Sequence, residues 1–242
     1  PNLNGVRFIA AFMVLIHHVE QAKHALGLEN IYDWTIIQHM GRLGVGLFFV
    51  LSGFLITYLL LQEKHNHGNI AAGSFYLRRA FRIWPVYFIV ILSSYFIFPH
   101  IPLLEYPGAV ENVNNYYRER LGFLLLILPN FAFILYDLPY WCAQAWSIGV
   151  EEQFYYLWPW LLKYPKPRWL ILLFFLAVTA LVLSLGLYFL QVPFEVKQEK
   201  VIAFLGQFRL QVMAFGGLLA WLVFKEKNTV LDILFRKDVQ YA

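Results

Sequence analysis

The sequence has few charged residues and only one cysteine. Of its 242 residues 14% are charged, whereas 60% are hydrophobic and 19% aromatic. This composition excludes an ordinary soluble globular domain, in which about 25% of the residues are charged. The single Cys142 excludes an intrachain disulfide and is interpreted as a packed small residue. No Ser/Gly linker, low-complexity tract or internal repeat divides the chain, so one domain over residues 1–242 is predicted.

Long apolar stretches are present instead, and they predict an all-α, polytopic bundle of transmembrane helices. About 20 apolar residues cross a hydrocarbon core of roughly 30 Å. Leu121–Leu135 is shorter and contains Pro129, so it is predicted to be re-entrant or a short buried helix. Gly46 and Gly53 are predicted to let two helices approach closely. The stretches predicted to span are Gly5 to about Ala22, Leu43–Leu61, Ile83–Phe98, Trp146–Leu162, Trp169–Leu190 and Val201–Phe224.

The positions of the basic residues predict the orientation of the helices. With a cytoplasmic amino terminus, twelve Lys and Arg residues lie at inner helix ends and six at outer ends, as the positive-inside rule requires. The count depends on Leu121–Leu135 not crossing, because a crossing there would give seven inside and eleven outside. Basic residues at helix ends also argue against nucleic-acid binding, which needs one soluble basic face. The predicted partner is the lipid bilayer, because the apolar stretches are long enough to cross it.

Ionisable residues at membrane depth are the main sign of function. Glu151 and Glu152 lie in a predicted span, where a charge costs roughly 2.5–3.5 kcal/mol on insertion scales, so they are expected to face a cavity. Arg7 and His18 are eleven positions apart, about 16 Å along one face of an α-helix. His18 is the candidate general base, in company with Glu151. The alternative is a core histidine satisfied by its neighbours, as is predicted for His17.

Three arginines are further candidates. Arg79 and Arg82 are three positions apart, hence on one helical face, and guanidinium groups fit phosphate oxygens. The pair is predicted to bind a phosphorylated cytoplasmic cofactor, the alternative being anchorage of the helix end to lipid headgroups. Arg209 lies in the last predicted span and should need one of the two glutamates as a partner. His65 and His67 have no third ligand nearby, so no metal site is predicted.

Four ordered motifs resemble those of the acyltransferase-3 family of integral membrane acyltransferases. They are Leu3–Arg7 followed by His18, Gly46–Phe54, Arg79–Pro85 and Trp146–Tyr155. The resemblance implies transfer of an acyl group, expected to be acetyl, from cytoplasmic acyl-CoA to a hydroxyl of a cell-envelope glycan, a lipid or a small molecule. It also implies a location in the bacterial inner membrane and a bundle of about ten helices, of which this chain would be the amino-terminal portion.

The resemblance also implies roles for individual residues, although Asn4 stands where the family usually has Asp. His18 would be the general base or the acyl carrier, with Glu151 assisting. The implied cofactor contacts are Arg7, Arg79 and Arg82, and the implied supporting residue is Ser147.

A membrane transporter is the rival interpretation. In such a protein His18, Glu151 and Arg209 would form a proton relay or a substrate pathway without covalent chemistry. Binding of acyl-CoA, lost when Arg79 and Arg82 are replaced, is the observation that discriminates the two classes.

Overall fold

The computed structural model describes residues 3–104, 108–164, 167–191 and 206–225, and within these residues it contains helices and no strand. The all-α prediction is therefore confirmed. Short 3-10 helices occupy Phe98–His100, Pro102–Leu104 and Tyr140–Ala145. The α-helices are α1 (Asn4–Ala25), α2 (Thr35–His67), α3 (Ala72–Phe96), α4 (Ala109–Asn114), α5 (Tyr117–Leu125), α6 (Pro129–Tyr136), α7 (Trp146–Lys163), α8 (Pro167–Gln191) and α9 (Leu210–Lys225).

Two of the described helical segments are long and apolar enough to cross a membrane. They are Thr35–His67 and Ala72–His100, the second of which includes the 3-10 turn after α3. Trp169–Leu183 and Leu210–Lys225 are shorter apolar helices. Each of the six predicted spans coincides with a described α-helix, although residues 201–205 of the last one lie outside the described residues. The number of crossings and their orientation stay predictions.

The stretch Leu121–Leu135 contains two short helices rather than one long one. α5 has nine residues and α6 has eight, so each is only about 12–14 Å long and cannot span the hydrocarbon core. Pro129 occupies the first turn of α6 and cannot continue the preceding helix. Asn130 is buried and exchanges hydrogen bonds with Gln153 of α7. Two short helices thus stand where a re-entrant segment or one short buried helix was predicted, and the second of them has a buried face.

Helices α2 and α9 cross with their backbones in contact. A Cβ on Gly53 would overlap the backbone carbonyl of Met213, and one on Gly216 would overlap that of Val50. The predicted close approach at Gly53 is therefore confirmed. The prediction for Gly46 is wrong for the residues that the structure describes, because a Cβ there would meet none of their atoms within 4 Å.

A buried tryptophan joins α7 to these two helices. Trp158 is fully buried, and its ring stacks on Phe154 with 4.1 Å between the ring centroids. Its indole Nε1–H donates to Thr57 Oγ1 at 2.6 Å, and the Thr57 hydroxyl donates to the Gly53 carbonyl at 2.7 Å. Each buried polar group in this chain of hydrogen bonds has a partner. Together with the contact between the backbones of α2 and α9, these bonds make α2, α7 and α9 one tightly packed core.

The carboxyl-terminal ends of α2 and α7 are held together by Lys64. Its Nζ donates to the carbonyl oxygens of Leu162, Lys163 and Tyr164 at 2.7, 2.9 and 2.8 Å. The last carbonyls of a helix have no partner within the helix and carry partial negative charge, so an ammonium group stabilises them.

Helices α1 and α3 flank this core and leave one face open. α1 packs on α2 where Gly44 faces the Ala10 carbonyl, and the outer side chains Phe8 and Phe81 are 69% and 78% exposed. Large exposed apolar side chains on an apolar helix are what contact with lipid requires.

Candidate active site

Glu151 is the centre of the candidate site. It lies in the second turn of α7 and is half-buried. Its Oε1 accepts a hydrogen bond from Ser52 Oγ at 3.3 Å, and its Oε2 accepts one from the Tyr155 hydroxyl at 2.9 Å. Tyr155 is one helical turn further along α7, whereas Ser52 comes from α2. The carboxylate is therefore fixed by two neutral donors.

His18 and Glu151 line the same cavity, which we call the histidine cavity. Its volume is about 210 Å³, and Gln144 and Ser147 also border it. The imidazole Nδ1 lies 3.0 Å from the Gln21 side-chain oxygen. The histidine is thus oriented by its own helix, and the described hydrogen bonds include none between its imidazole and Glu151. The two predicted groups share one void, but the predicted orientation of His18 by Glu151 is not a direct contact.

The three predicted cofactor arginines border a second cavity, the arginine cavity. Arg7, Arg79 and Arg82 line it together with Glu151 and Tyr155, and its volume is about 410 Å³. The Arg79 guanidinium carbon lies 5.6 Å from the ring centroid of Tyr155, a cation–π distance. Three guanidinium groups around one cavity make it suitable for an anionic ligand.

A third cavity opens between α3 and the start of α7, and we call it the lateral cavity. It has a volume of about 520 Å³ and is bordered by Arg82, Val86, Val90, Gln144, Ser147 and Glu151, among others. Glu151 therefore borders all three cavities. A carboxylate in this position can interact with groups that arrive from different sides.

Two predicted residues occupy positions that the sequence did not anticipate. Ser147 Oγ donates to the Gln144 carbonyl at 3.1 Å at the start of α7, while the residue borders the histidine and lateral cavities. Arg209 lies just before α9 and donates to the carbonyls of Gly206 and Arg42 at 3.0 and 3.2 Å. The expected pairing of Arg209 with a glutamate is wrong for the described hydrogen bonds and ion pairs, because backbone carbonyls satisfy this guanidinium instead.

Glu152 does not share the environment of Glu151. Its Oε2 accepts from the Trp84 indole N–H at 3.4 Å. It borders a separate, mainly apolar cavity of about 670 Å³, which Arg79 and Tyr155 also line. Adjacent residues on a helix point about 100° apart, so only one of the two neighbouring carboxylates reaches the histidine cavity.

Sequence reasoning missed Ser52, Tyr155 and Gln21. Tyr155 and Gln21 stand four and three positions from Glu151 and His18, so helical spacing contained a signal for both. Ser52 was visible only as part of a motif, because its proximity to Glu151 depends on how α2 packs against α7. No group of three His, Cys, Asp or Glu side chains arranged for a metal occurs in the part of the chain that the structure describes.

The arrangement is suited to acid–base chemistry beside an anion-binding cavity. A histidine supplies a group that exchanges protons near neutral pH. A fixed carboxylate nearby stabilises the cation formed when the imidazole accepts a proton. The three guanidinium groups place positive charge around the arginine cavity, which the same carboxylate borders.

Comparison with known proteins gives consistent matches. The model of the acyltransferase-3 family, described as an acyltransferase domain, matches residues 1–235. The peptidoglycan O-acetyltransferase OatA of Listeria monocytogenes is 29% identical over 161 residues, which are 66% of this chain and 23% of that protein. A protein of Staphylococcus aureus strain COL, provisionally named an O-acetyltransferase, is 30% identical over 94% of this chain and 36% of its own length.

A third relative, YrhL of Bacillus subtilis, is provisionally named a peptidoglycan O-acetyltransferase. It is 29% identical over 66% of this chain and 23% of its own length. The chain thus spans about a quarter to a third of the length of these curated relatives. No solved structure matches the chain at a significant level.

Proposed function

The chain belongs to the acyltransferase-3 family of acyltransferase domains, and on this premise we propose that it is the membrane part of an O-acyltransferase. The proposed reaction moves an acyl group, in the first instance acetyl, from acyl-CoA to a hydroxyl of a cell-envelope glycan. One relative from Listeria and one from Bacillus carry the words peptidoglycan O-acetyltransferase in their names, which supports an acetyl group and a glycan acceptor.

The arginine cavity is the proposed site of the donor. Arg7, Arg79 and Arg82 would bind the phosphates of acyl-CoA, because guanidinium groups form bidentate, charge-assisted hydrogen bonds with phosphate. Glu151 borders the same cavity, so a thioester extending away from the phosphates would reach it. The positive-inside rule supports a multi-pass protein with a cytoplasmic amino terminus, and acyl-CoA would then enter from the cytoplasm.

His18 is the proposed general base. It would take the proton of the acceptor hydroxyl while the hydroxyl oxygen attacks the thioester carbonyl. The C–S bond then breaks, and CoA leaves as a thiolate that receives the proton. General-base catalysis of this kind contributes about 10²–10⁴-fold in rate. A variant of the scheme has His18 carry the acyl group itself for one step.

The observation that carries this proposal is that Glu151 borders both the histidine cavity and the arginine cavity. A donor bound by the arginines and an acceptor beside His18 would therefore meet at one carboxylate. In water-poor surroundings a fixed carboxylate stabilises a developing imidazolium more strongly than it would in bulk solvent.

Binding of acetyl-CoA to the purified protein tests the donor site. Replacing Arg79 and Arg82 together by Ala should weaken the affinity at least about 10-fold, since two charge-assisted contacts are lost. Arg78→Ala is the matched control, because Arg78 points to Glu63 at 3.6 Å and does not border the arginine cavity. Equal affinities of the double variant and the wild type would overturn the donor assignment.

The acyl-transfer step has its own test. His18→Ala should lower the rate of acetyl transfer by at least about 10²-fold while acetyl-CoA still binds. His39→Ala serves as the control, because His39 is exposed and bonds only its own helix at Thr35 among the described hydrogen bonds. Normal transfer by the His18 variant would remove this histidine from the mechanism. A transporter built on the same residues would show no acetyl-CoA binding at all.

A further inference from the structure

The lateral cavity has an apolar mouth. Val86 and Val90 border it and are 63% and 38% exposed. Both residues belong to a helical segment that is long and apolar enough to cross a bilayer. In a membrane these side chains face hydrocarbon. The mouth between α3 and the start of α7 is therefore accessible to molecules dissolved in the lipid.

The lateral cavity also has a polar lining. Gln144, Ser147 and Glu151 border it, and the same three residues border the histidine cavity. The lateral cavity therefore brings exposed valine side chains together with side chains that surround the proposed base. Its lining combines these valines with an amide, a hydroxyl, a carboxylate and the guanidinium of Arg82.

A ligand that matches this lining is amphiphilic. Its hydrocarbon part would contact Val86 and Val90. Its hydroxyl would donate to a side-chain oxygen of the polar lining. A free sugar is too polar to reach the cavity through the lipid-facing mouth. The charged nucleotide of the donor is accounted for by the arginine cavity.

We propose that the acceptor is a membrane-embedded amphiphilic alcohol, such as a lipid-anchored sugar, which reaches the site sideways through the lateral cavity. This inference rests on the proposed function. The chemistry is unchanged: the alcohol oxygen forms a bond to the acyl carbon, the C–S bond to CoA breaks, and the alcohol proton passes through His18 to the CoA sulfur. What is new is the route, which selects a lipid-anchored acceptor among those that the resemblance implies.

Photolabelling with octyl β-glucoside that carries a diazirine in its octyl chain tests this route. The protein is placed in lipid nanodiscs, irradiated with the probe and analysed by peptide mass spectrometry. We expect labelling to concentrate on residues 86–90 and 142–148. Excess octyl β-glucoside should remove at least about 90% of that labelling, whereas methyl β-glucoside, which has the sugar without the chain, should remove none.

A matched pair of variants makes the test specific. Val86→Trp should fill the mouth and reduce the labelling at least about 10-fold. Ile89→Trp should leave it unchanged, because Ile89 is 64% exposed on the same helix but does not border the lateral cavity. Acetyl-CoA affinity is measured for both variants as a check that each is folded.

Three results would overturn the inference. Labelling could spread evenly over exposed apolar faces, the two tryptophan variants could label alike, or palmitoyl-CoA could compete better than octyl β-glucoside. The last result would assign the lateral cavity to the acyl chain of the donor. Acetyl-CoA binding that does not depend on Arg79 and Arg82 would instead refute the donor site, and that outcome is read in a separate assay.

Discussion

The two sides of this helix bundle differ in how tightly they are packed. On the closed side, formed by α2, α7 and α9, glycines bring backbones into contact and Trp158 is fully buried. On the open side, formed by α1, α3 and the 3-10 helix Tyr140–Ala145, the helices are separated by cavities of about 210 to 520 Å³. The same chain thus forms a densely packed side and a side that contains cavities.

This difference in packing fits the positions of the proposed catalytic and binding groups. Glu151 and Ser52 come from the closed side, so the carboxylate is held on rigid elements. His18 and Arg79 come from the open side, where ligands have room to enter. A catalytic group gains from being fixed by packing and by hydrogen bonds from its neighbours, whereas substrates need accessible volume.

The largest effect is expected from a methyl group added on the closed side. Gly53→Ala forces a Cβ into the Met213 carbonyl, so α2 and α9 must separate. Overpacking of this kind costs about 1–3 kcal/mol or more. Thermal unfolding in detergent measures the loss. Gly46→Ala on the same helix is the control and should be neutral or stabilising by up to about 1 kcal/mol, because no atom of residues 3–104, 108–164, 167–191 and 206–225 lies within 4 Å of its Cβ. Equal melting temperatures would contradict the described α2–α9 contact.

A smaller loss of stability is expected when a buried hydrogen bond is removed from the closed side. Thr57→Val keeps the shape of the side chain but leaves the Trp158 indole N–H without its 2.6 Å acceptor. An unsatisfied buried donor costs about 1–3 kcal/mol. Denaturant titration should show this decrease, with acetyl-CoA affinity unchanged. A loss of affinity at wild-type stability would show that the two sides are not separable.

Removing one oxygen beside Glu151 should affect activity more than stability. Tyr155→Phe deletes the hydroxyl that donates to Oε2 at 2.9 Å. One hydrogen bond to a charged group is worth about 1.5–3 kcal/mol, so acetyl transfer should fall about 10- to 100-fold. Tyr156→Phe is the control, because Tyr156 is 68% exposed. Identical transfer rates for both variants would show that Tyr155 does not position the carboxylate.

The smallest effect concerns the single cysteine on the open side. Burial raises the pKa of the Cys142 thiol to about 12, against about 8.5 in an unfolded chain. The raised pKa favours the neutral thiol, so at pH 8 about one molecule in ten thousand carries the reactive thiolate. Iodoacetamide should leave the folded protein unmodified and alkylate it after denaturation. Rapid alkylation of the folded protein would show that Cys142 is accessible.

The helices could be predicted from the sequence because apolar stretches report burial directly. The six predicted spans and the short segment around Pro129 all coincide with helices in the structure. The close approach at Gly53 was predicted for the same reason, but Gly46 fits the same sequence pattern and meets no other helix within the described part of the chain. Spacing along one helix says which face a glycine occupies, and it does not say whether another helix covers that face.

The candidate site was predictable where residues share a helix and less so where helices meet. His18 and Glu151 were identified as unusual residues at membrane depth, and the structure places them on one cavity. The contact of Ser52 with Glu151 spans 99 residues of sequence and depends on tertiary packing. Arg209 was expected to need a carboxylate, but its position before α9 brings it to the backbone carbonyls of Gly206 and Arg42, which a hydropathy argument does not register.

Lys64 has a consequence beyond capping a helix end. Its ammonium group uses all three N–H bonds on consecutive carbonyls at residues 162–164, so the carboxyl-terminal end of α7 is fastened to α2. Ser52 lies twelve residues back along α2, about 18 Å away. One helix therefore both anchors the end of α7 and supplies the hydroxyl that holds Glu151.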